Sequence, residues 1–389
     1  MESTVVSLIL TTHCNLKCKY CINNSGEDLI IDNEKAKEWE SSEDIIKCLE
    51  NIAKVRNIEI VKFFGGEPLL RADLIEEIIK NKYRFSNDGN VKFAFTTNAY
   101  KRISSRLLEL MKKNRVILNI SLDGPEMLNN AARIARDGGN CYKNVIDNLR
   151  LLFDHEYPFA IVSVLDERVV DFKSSISEIS KFISKYTPIY KIEPAYMIKE
   201  IDEFGYKQNE ILKQQKEFIN NIFEGIFSLD ESNYIYENNI LRTMHAIVYN
   251  KTKDYVCSAA GFIAVFPSNE AYSCYNLMEK KYRISEDISL IEPQKLDRIL
   301  EEKKELLKIS NFPKEYKEIE FFGDYCPKEN NFKSFAYLYR KKMIENIYEN
   351  LKNIKPGSME HLSLLSYINK GFSYDFFKSF LKDNEFEYV

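Results

Sequence analysis

Three cysteines fall within eight residues in Cys14-Asn15-Leu16-Lys17-Cys18-Lys19-Tyr20-Cys21, a Cys-x3-Cys-x2-Cys spacing. The chain carries eight cysteines in 389 residues, so chance would produce such a cluster only ~0.003 times per chain of this length. Three thiolates on one short loop can hold three irons of a 4Fe–4S cube and leave the fourth open to a ligand that is not protein. Zinc is the competing reading, but zinc motifs usually pair two such clips, and the sequence holds no second one.

The remaining cysteines are scattered: Cys48, Cys141, Cys257, Cys274 and Cys326. Cys48 shares an apolar helical face with Ile45, Leu49 and Ile52 and reads as core. Cys141 opens a helix, where the N-terminus lowers a thiol pKa; return of a hydrogen atom to a substrate and plain packing are its two readings. His13, His155, His245 and His361 show no ligand spacing.

The composition agrees with metal or redox chemistry in a globular protein. The opening MESTVVSLILTT has neither a basic n-region nor a small-residue cleavage site, so no signal peptide is expected and the expected location is cytoplasmic. In a reducing compartment thiols serve metals or redox steps rather than disulfides. Lys plus Arg is 55 against 59 Asp plus Glu, a net charge of −4, which excludes a strongly basic nucleic-acid binder. No apolar run approaches the ~20 residues that span a bilayer, so no membrane partner is expected. The length corresponds to about 2.6 typical domains.

The loop must be positioned by what surrounds it. Val5–Thr11, Ile58–Phe64, Val91–Thr97, Val116–Ser121, Phe159–Leu165 and Tyr190–Pro194 are the apolar runs of a buried parallel sheet. Between them Ser42–Val55, Leu70–Tyr83, Ser104–Lys113, Lys143–His155 and Ser175–Lys185 carry helical spacing, and Asn209–Phe227 adds another helix. Repeated βα units imply an α/β fold with right-handed crossovers, an open sheet or a barrel, whose ligands collect at the carboxyl ends of the strands. Ser228–Asn233 is a polar break. Tyr255–Pro267 and Glu270–Tyr275 read as a hairpin turning at Pro267-Ser268-Asn269. A charged helix over Gln294–Lys308, a long amphipathic helix over Phe332–Ile354 and two shorter helical stretches complete the chain.

Further motifs stand at the ends of the strands: Phe64-Gly65-Gly66-Glu67-Pro68, Thr96-Thr97-Asn98 and Ser121-Leu122-Asp123-Gly124-Pro125. Singly each is an ordinary turn. Together with the cysteine loop they mark four successive strand ends, and one ligand lying across the sheet accounts for all of them. In this order, and with Tyr20 before the last cysteine, the chain resembles the radical S-adenosylmethionine (radical SAM) superfamily over residues 1 to about 200.

The resemblance implies a partial (β/α)6 TIM barrel in which Cys14, Cys18 and Cys21 ligate a catalytic 4Fe–4S cluster. Its open iron binds the amino and carboxylate groups of SAM, and an electron from the cube cleaves SAM to a 5′-deoxyadenosyl radical. The SAM contacts it implies are Tyr20, Gly65, Gly66, Glu67, Pro68, Thr97, Asn98, Ser121, Asp123, Arg133 and Leu165. Within that set the Gly-Gly-Glu-Pro segment meets the methionine amino group, Thr96-Thr97-Asn98 the ribose, and Ser121 with Arg133 the carboxylate. At the strand-end glycines the missing side chain lets backbone approach a ligand.

Cys257, Cys274 and Cys326 are similar in arrangement to the C-terminal SPASM or twitch domain of peptide-modifying members, which carries an auxiliary iron–sulfur cluster. The family's hairpin glycine is Asn269 here, and Phe322 stands where a partner cysteine would precede Cys326. A cluster on three cysteines and plain burial both remain open. The layout is also similar to anaerobic sulfatase-maturing enzymes, but Tyr275 replaces their proposed base, and a phenol of pKa about 10 is a poor base at neutral pH.

The expected organisation is a radical SAM partial barrel at 1–227, a SPASM/twitch-like α+β domain at 228–330 and a helical extension at 331–389. The expected function is modification of a peptide or protein side chain, as a thioether or carbon–carbon cross-link in a ribosomally made precursor. A low-potential donor such as flavodoxin or ferredoxin would supply electrons. The alternatives are a dehydrogenase or rearrangement enzyme on a small molecule, and a non-catalytic iron–sulfur electron carrier. With thirteen residues before Cys14, no N-terminal leader-recognition domain is expected.

Overall fold

The structure is a computed structural model that describes residues 1–21, 38–86, 89–195, 205–228, 234–251, 254–255, 257–311 and 335–371. Six strands alternate with helices through its first half: β1 (Ser3–Thr11), α1 (Ser42–Ala53), β2 (Asn57–Gly65), α2 (Ala72–Lys80), β3 (Lys92–Thr97), α3 (Ser105–Asn114), β4 (Ile117–Ser121), α4 (Glu126–Ala132), α5 (Cys141–Asp154), β5 (Ala160–Leu165), α6 (Arg168–Asp171), α7 (Ile176–Ser184) and β6 (Tyr190–Pro194). There follow α8 (Tyr206–Phe227), α9 (Asn238–Val248), β7 (Phe262–Val265), β8 (Ala271–Tyr272), β9 (Arg283–Ser285), α10 (Pro293–Leu306), α11 (Phe335–Leu351) and α12 (Met359–Gly371).

The strands form one sheet in the order β6-β5-β4-β3-β2-β1-β7-β8-β9. Every pair from β6 to β1 is parallel, and β1 also pairs in parallel with β7. Sequential parallel order gives the partial barrel expected from the six apolar runs, each found within two residues of its expected limits. The hairpin beyond residue 228 extends this same sheet.

Period-two alternation separates the two faces of each strand. Val6, Leu8, Val61, Phe63, Phe93, Phe95, Leu118 and Ile120 enter the large core shared with the helices. Ser7, Lys62, Phe64, Ala94, Thr96 and Asn119 turn the other way, toward the inner face. Helix ends are specified locally: Ser41, Ser104 and Asn140 cap α1, α3 and α5 through their side chains, and Ser175 with Glu178 forms a capping box on α7.

Some expectations need correction. The hairpin arms are shorter than read, because Ser258-Ala259-Ala260-Gly261 forms a 3-10 turn before β7; these small residues have little β preference. The turn itself is as expected, with Asn269 in the left-handed region at φ +62 and its N–H donated to the Phe266 carbonyl at 2.9 Å. Helices α4, α6 and α9 and strand β9 are additional to the expected elements. Most of the polar break and the last helical stretch lie outside the described residues. Helices α11 and α12 pack on α8 and α9. Among the described residues no helix is long and apolar enough to cross a membrane.

Candidate active site

The cysteine loop leaves the end of β1 and is held from both sides by backbone. On one side Gly66 donates to the Thr11 carbonyl at 2.8 Å and Glu67 to the His13 carbonyl at 2.9 Å. On the other, Lys17 and Lys19 donate to the carbonyls of Ile134 and Ala132, and Arg136 donates to that of Asn15. The Arg136 side chain adds a bond from Nε to the Cys14 carbonyl at 3.0 Å.

The glycines are required by this loop. A Cβ on Gly66 would lie 2.0 Å from the His13 carbonyl oxygen, and one on Gly65, at φ +127, would lie 2.3 Å from that of Thr11. The close approach expected toward a ligand is therefore first an approach to the chain's own loop.

Glu67 is buried, 1% exposed. Its carboxylate accepts from the Leu69 N–H at 2.9 Å, the Thr97 hydroxyl at 2.6 Å and the Asn98 N–H at 2.8 Å. Burial pushes its pKa up while these three donors pull it down, and burial wins. The Asn98 amide donates to Asn15 Oδ1 at 2.8 Å and approaches Cys14 Sγ at 3.7 Å. Glu67, Thr97 and Asn98 thus join the second and third strand ends to the cysteine loop.

A second buried hub sits at the ends of β4 and β5. Asp123 accepts from Arg133 Nε and Nη2 at 3.1 and 2.9 Å, from Arg168 Nη1 and Nη2 at 3.2 Å each, and from the Tyr20 hydroxyl. Both guanidinium groups also lie over the Tyr20 ring, at 5.4 and 5.0 Å from its centroid. Burial raises the Asp123 pKa, but Arg133 and Arg168 outweigh it and hold the carboxyl below its usual range. Tyr20 is thereby fixed between Cys18 and Cys21.

These motifs surround one cavity of about 210 Å³. Cys14, Cys18, Cys21, Tyr20, Gly65, Gly66, Glu67, Pro68, Thr97, Asn98, Ser121 and Arg133 all line it, together with Phe64, Thr96, Val164 and Pro194. Two expected contacts are not on its wall. Asp123 lies behind Arg133 and Tyr20 as their shared acceptor. Leu165 faces the helix-side core, and strand alternation puts its neighbour Val164 on the wall instead. Arg168 was missed, since its partner Asp123 lies 45 positions earlier in the chain.

The cavity fits a cube with one open iron. Three free thiols face it, the donor set that a cube with one open iron takes. A cube takes each thiolate at a different iron, so the thiols must surround a space rather than meet at a point. Burial pushes the Cys14 and Cys18 thiols up to about 12, with Glu67 adding to the rise at Cys14 and Arg133 opposing it at Cys18; metal binding replaces those protons.

The other cysteines divide. Cys48 is fully buried in the core, with Sγ 3.6 Å from Asn269 Oδ1. Cys141 opens α5 but is 1% exposed, and burial raises its pKa where the helix end alone would lower it, so it packs. Cys257 and Cys274 lie against one small apolar cluster containing Ala259, Leu277, Tyr282, Leu307 and Tyr337. Cys326 lies outside the described residues.

Residues 8–179 match the Radical SAM superfamily. Radical SAM cyclopropyl synthase TigE of Paramaledivibacter caminithermalis is 25% identical over 288 residues, 69% of this chain and 57% of that protein. A cysteine-type anaerobic sulfatase-maturating enzyme of Clostridium novyi is 26% identical over 183 residues, 45% of this chain and 46% of that one. The chain thus spans about half the length of these relatives. The structure of polyhistidine-tagged anSMEcpe with bound AdoMet superimposes with a TM-score of 0.71 at 17% identity, covering 95% of this chain and 98% of that one. That likeness shows the same fold.

Proposed function

We propose that this chain, whose residues 8–179 match the Radical SAM superfamily, takes a hydrogen atom from a peptide or protein side chain and leaves a thioether or carbon–carbon cross-link. The family's 4Fe–4S cluster and SAM supply, when bound, the electron and the 5′-deoxyadenosyl group for that abstraction. Cys14, Cys18 and Cys21 hold the cluster. Ser121 and Arg133 receive the SAM carboxylate: Asp123 occupies Arg133 Nε and Nη2, leaving Nη1 for the cavity that Arg133 lines.

The observation that carries the reading is the geometry beyond this cavity. Phe64 and Thr96 also line a second cavity of about 210 Å³ on the inner face of the sheet, whose lining includes Cys274 and Tyr275, the latter stacked on Phe64 at 4.0 Å. A side chain entering there would adjoin the SAM cavity through Phe64 and Thr96 and meet Tyr275, the position where the sulfatase-maturase resemblance puts its base. A structure of the same fold was captured with AdoMet and the Kp18Cys peptide, at TM-score 0.68, 17% identity and 90% coverage of this chain, which agrees with a peptide substrate. A low-potential protein such as a flavodoxin or ferredoxin is the proposed donor.

The test is anaerobic reconstitution with iron, sulfide, SAM and dithionite. Wild type should form 5′-deoxyadenosine, and a Cys14/Cys18/Cys21→Ala triple variant should form none. A short peptide encoded beside the gene should lose a hydrogen pair per cross-link by mass spectrometry. Undiminished 5′-deoxyadenosine from the triple variant would sink the cluster assignment; an unmodified neighbouring peptide with active enzyme would direct the search to small molecules.

A further inference from the structure

The inner face of a (β/α) barrel is ordinarily packed by bulky branched side chains. Here one level of the sheet is built differently. Register places Ala264 of β7, Ser7 of β1, Lys62 of β2 and Ala94 of β3 side by side. Small residues flank the lysine on both sides, and the second cavity of about 210 Å³ lies over it. The lumen is hollow at the level of Lys62.

Ser7, Lys62 and Asn119 are among the polar residues that line that hollow. The Ser7 hydroxyl is 1% exposed and has no hydrogen-bond partner among the described residues. Leaving such a group unsatisfied costs free energy that a ligand bond would recover. Lys62 sets its ammonium over the Phe262 ring, 4.5 Å from the centroid, and is the only charged side chain among the described residues lining the cavity. Asn119 adds an amide one level up, beside Thr96. The rest of the wall is mostly aromatic, with Phe64 and Tyr275 stacked at 4.0 Å.

We propose that this hollow is a carboxylate subsite: Lys62, Ser7 and Asn119 hold an anionic carboxylate of the substrate, next to the carbon that gives up its hydrogen. This rests on the functional reading above and narrows its substrate class. Lys62 and Ser7 are paired across β2 and β1, and Asn119 of β4 lines the same cavity; ammonium, hydroxyl and amide donors on one wall suit the two oxygens of a carboxylate. Aromatic walls exclude water and strengthen the charge-assisted bond. An Asp or Glu side chain and the carboxylate at a peptide's end share this chemistry.

Equilibrium dialysis of the reconstituted holoenzyme with SAM, without reductant, tests it. The probes are N-acetyl-aspartate amide and N-acetyl-glutamate amide for side-chain acids, N-acetyl-alanine for a terminal acid, and the N-acetyl amides of asparagine, glutamine and alanine as their neutral isosteres. An acid should bind about tenfold or more tightly than its neutral isostere, the size of a hydrogen bond to a charged group. Lys62→Met should erase that preference, Lys62→Arg should keep most of it, and Ser7→Ala should reduce it. Thermal melts confirm that each variant is folded. Preference for the aspartate or glutamate probe assigns the site to a side chain, and for N-acetyl-alanine to a chain end; both support the subsite. Equal binding of acids and isosteres, absence of binding by every acid, or a preference that survives Lys62→Met overturns it. Carbon-deuterated probes then separate the two proposals: deuterium in 5′-deoxyadenosine tests the abstraction, whereas dialysis reads the subsite alone.

Discussion

Single positions in the cysteine-lined cavity divide by what they touch, and their substitutions should separate accordingly. Glu67 bonds to this chain's own groups, so Glu67→Ala strands buried donors and should cost roughly 3 kcal/mol of stability. It should weaken SAM binding as well, because Thr97 and Asn98 lose their anchor. Ser121 lines the cavity, and among the described residues no hydrogen bond ties its side chain to the fold. Ser121→Ala should therefore leave the melting temperature alone and weaken SAM binding about tenfold. Calorimetric melting and SAM titration of both variants check this contrast; wild-type SAM affinity in Ser121→Ala would remove that residue from the site. Gly66→Ala is a third case. Its Cβ would meet the His13 carbonyl at 2.0 Å, and backbone cannot yield as a flexible side chain does. Iron content after reconstitution should fall sharply, and a fully loaded, SAM-binding Gly66→Ala protein would contradict the packing described here.

Elements are joined by buried charged groups whose partners lie far away in sequence. Glu237 precedes α9, accepting from the Ile240 N–H at its first turn and from the Ile192 N–H of β6. Burial, opposed by these bonds and supported by the neighbouring Glu193, raises its pKa from 4.5 to about 7. The folded chain therefore keeps a proton that the unfolded chain releases above its ordinary value. This contribution is fully present below pH 4.5, declines as pH rises through about 7 and is level beyond. Glu237→Gln, which cannot ionise, should show a flatter melting temperature across the window from pH 4.5 to about 7; parallel wild-type and variant profiles would exclude the effect. The same separation explains what the sequence made legible. Strands buried on both faces read as apolar runs, and chemistry-bearing residues at their ends announce themselves by position. Arg168 and Glu237 do not, because beside their local bonds each joins two elements through a partner 45 residues away. Nor does β7 beside β1, a pairing sealed by the Thr4 hydroxyl on the Gly261 carbonyl, 257 positions apart.

At the scale of the whole molecule, the sheet places two kinds of cysteine on two cavities that share Phe64 and Thr96. The motif cysteines stand at the carboxyl end of β1, and Cys274, following β8, lines the second cavity. An oxidative cross-link leaves the substrate two electrons short: hydrogen abstraction accounts for one, and the second needs an acceptor. An iron–sulfur cluster on Cys257, Cys274 and Cys326 would be near enough to the lumen to take it. Burial raises the Cys274 pKa, as expected for a thiol that is either packed or awaiting metal, so iron itself must decide. If the three form a cluster, wild-type protein should carry more iron than one cube contains. The Cys257/Cys274/Cys326→Ala variant should lose that excess and fail to give the cross-linked product. It should still form 5′-deoxyadenosine, because the first cavity is lined by the motif cysteines and by neither Cys257 nor Cys274. If they only pack, both proteins should hold one cube, and the variant should lose stability through the vacated volume in the small apolar cluster. Mössbauer quantification on the two proteins separates these outcomes, and a single cube in the wild type would leave the second electron to an acceptor outside this chain.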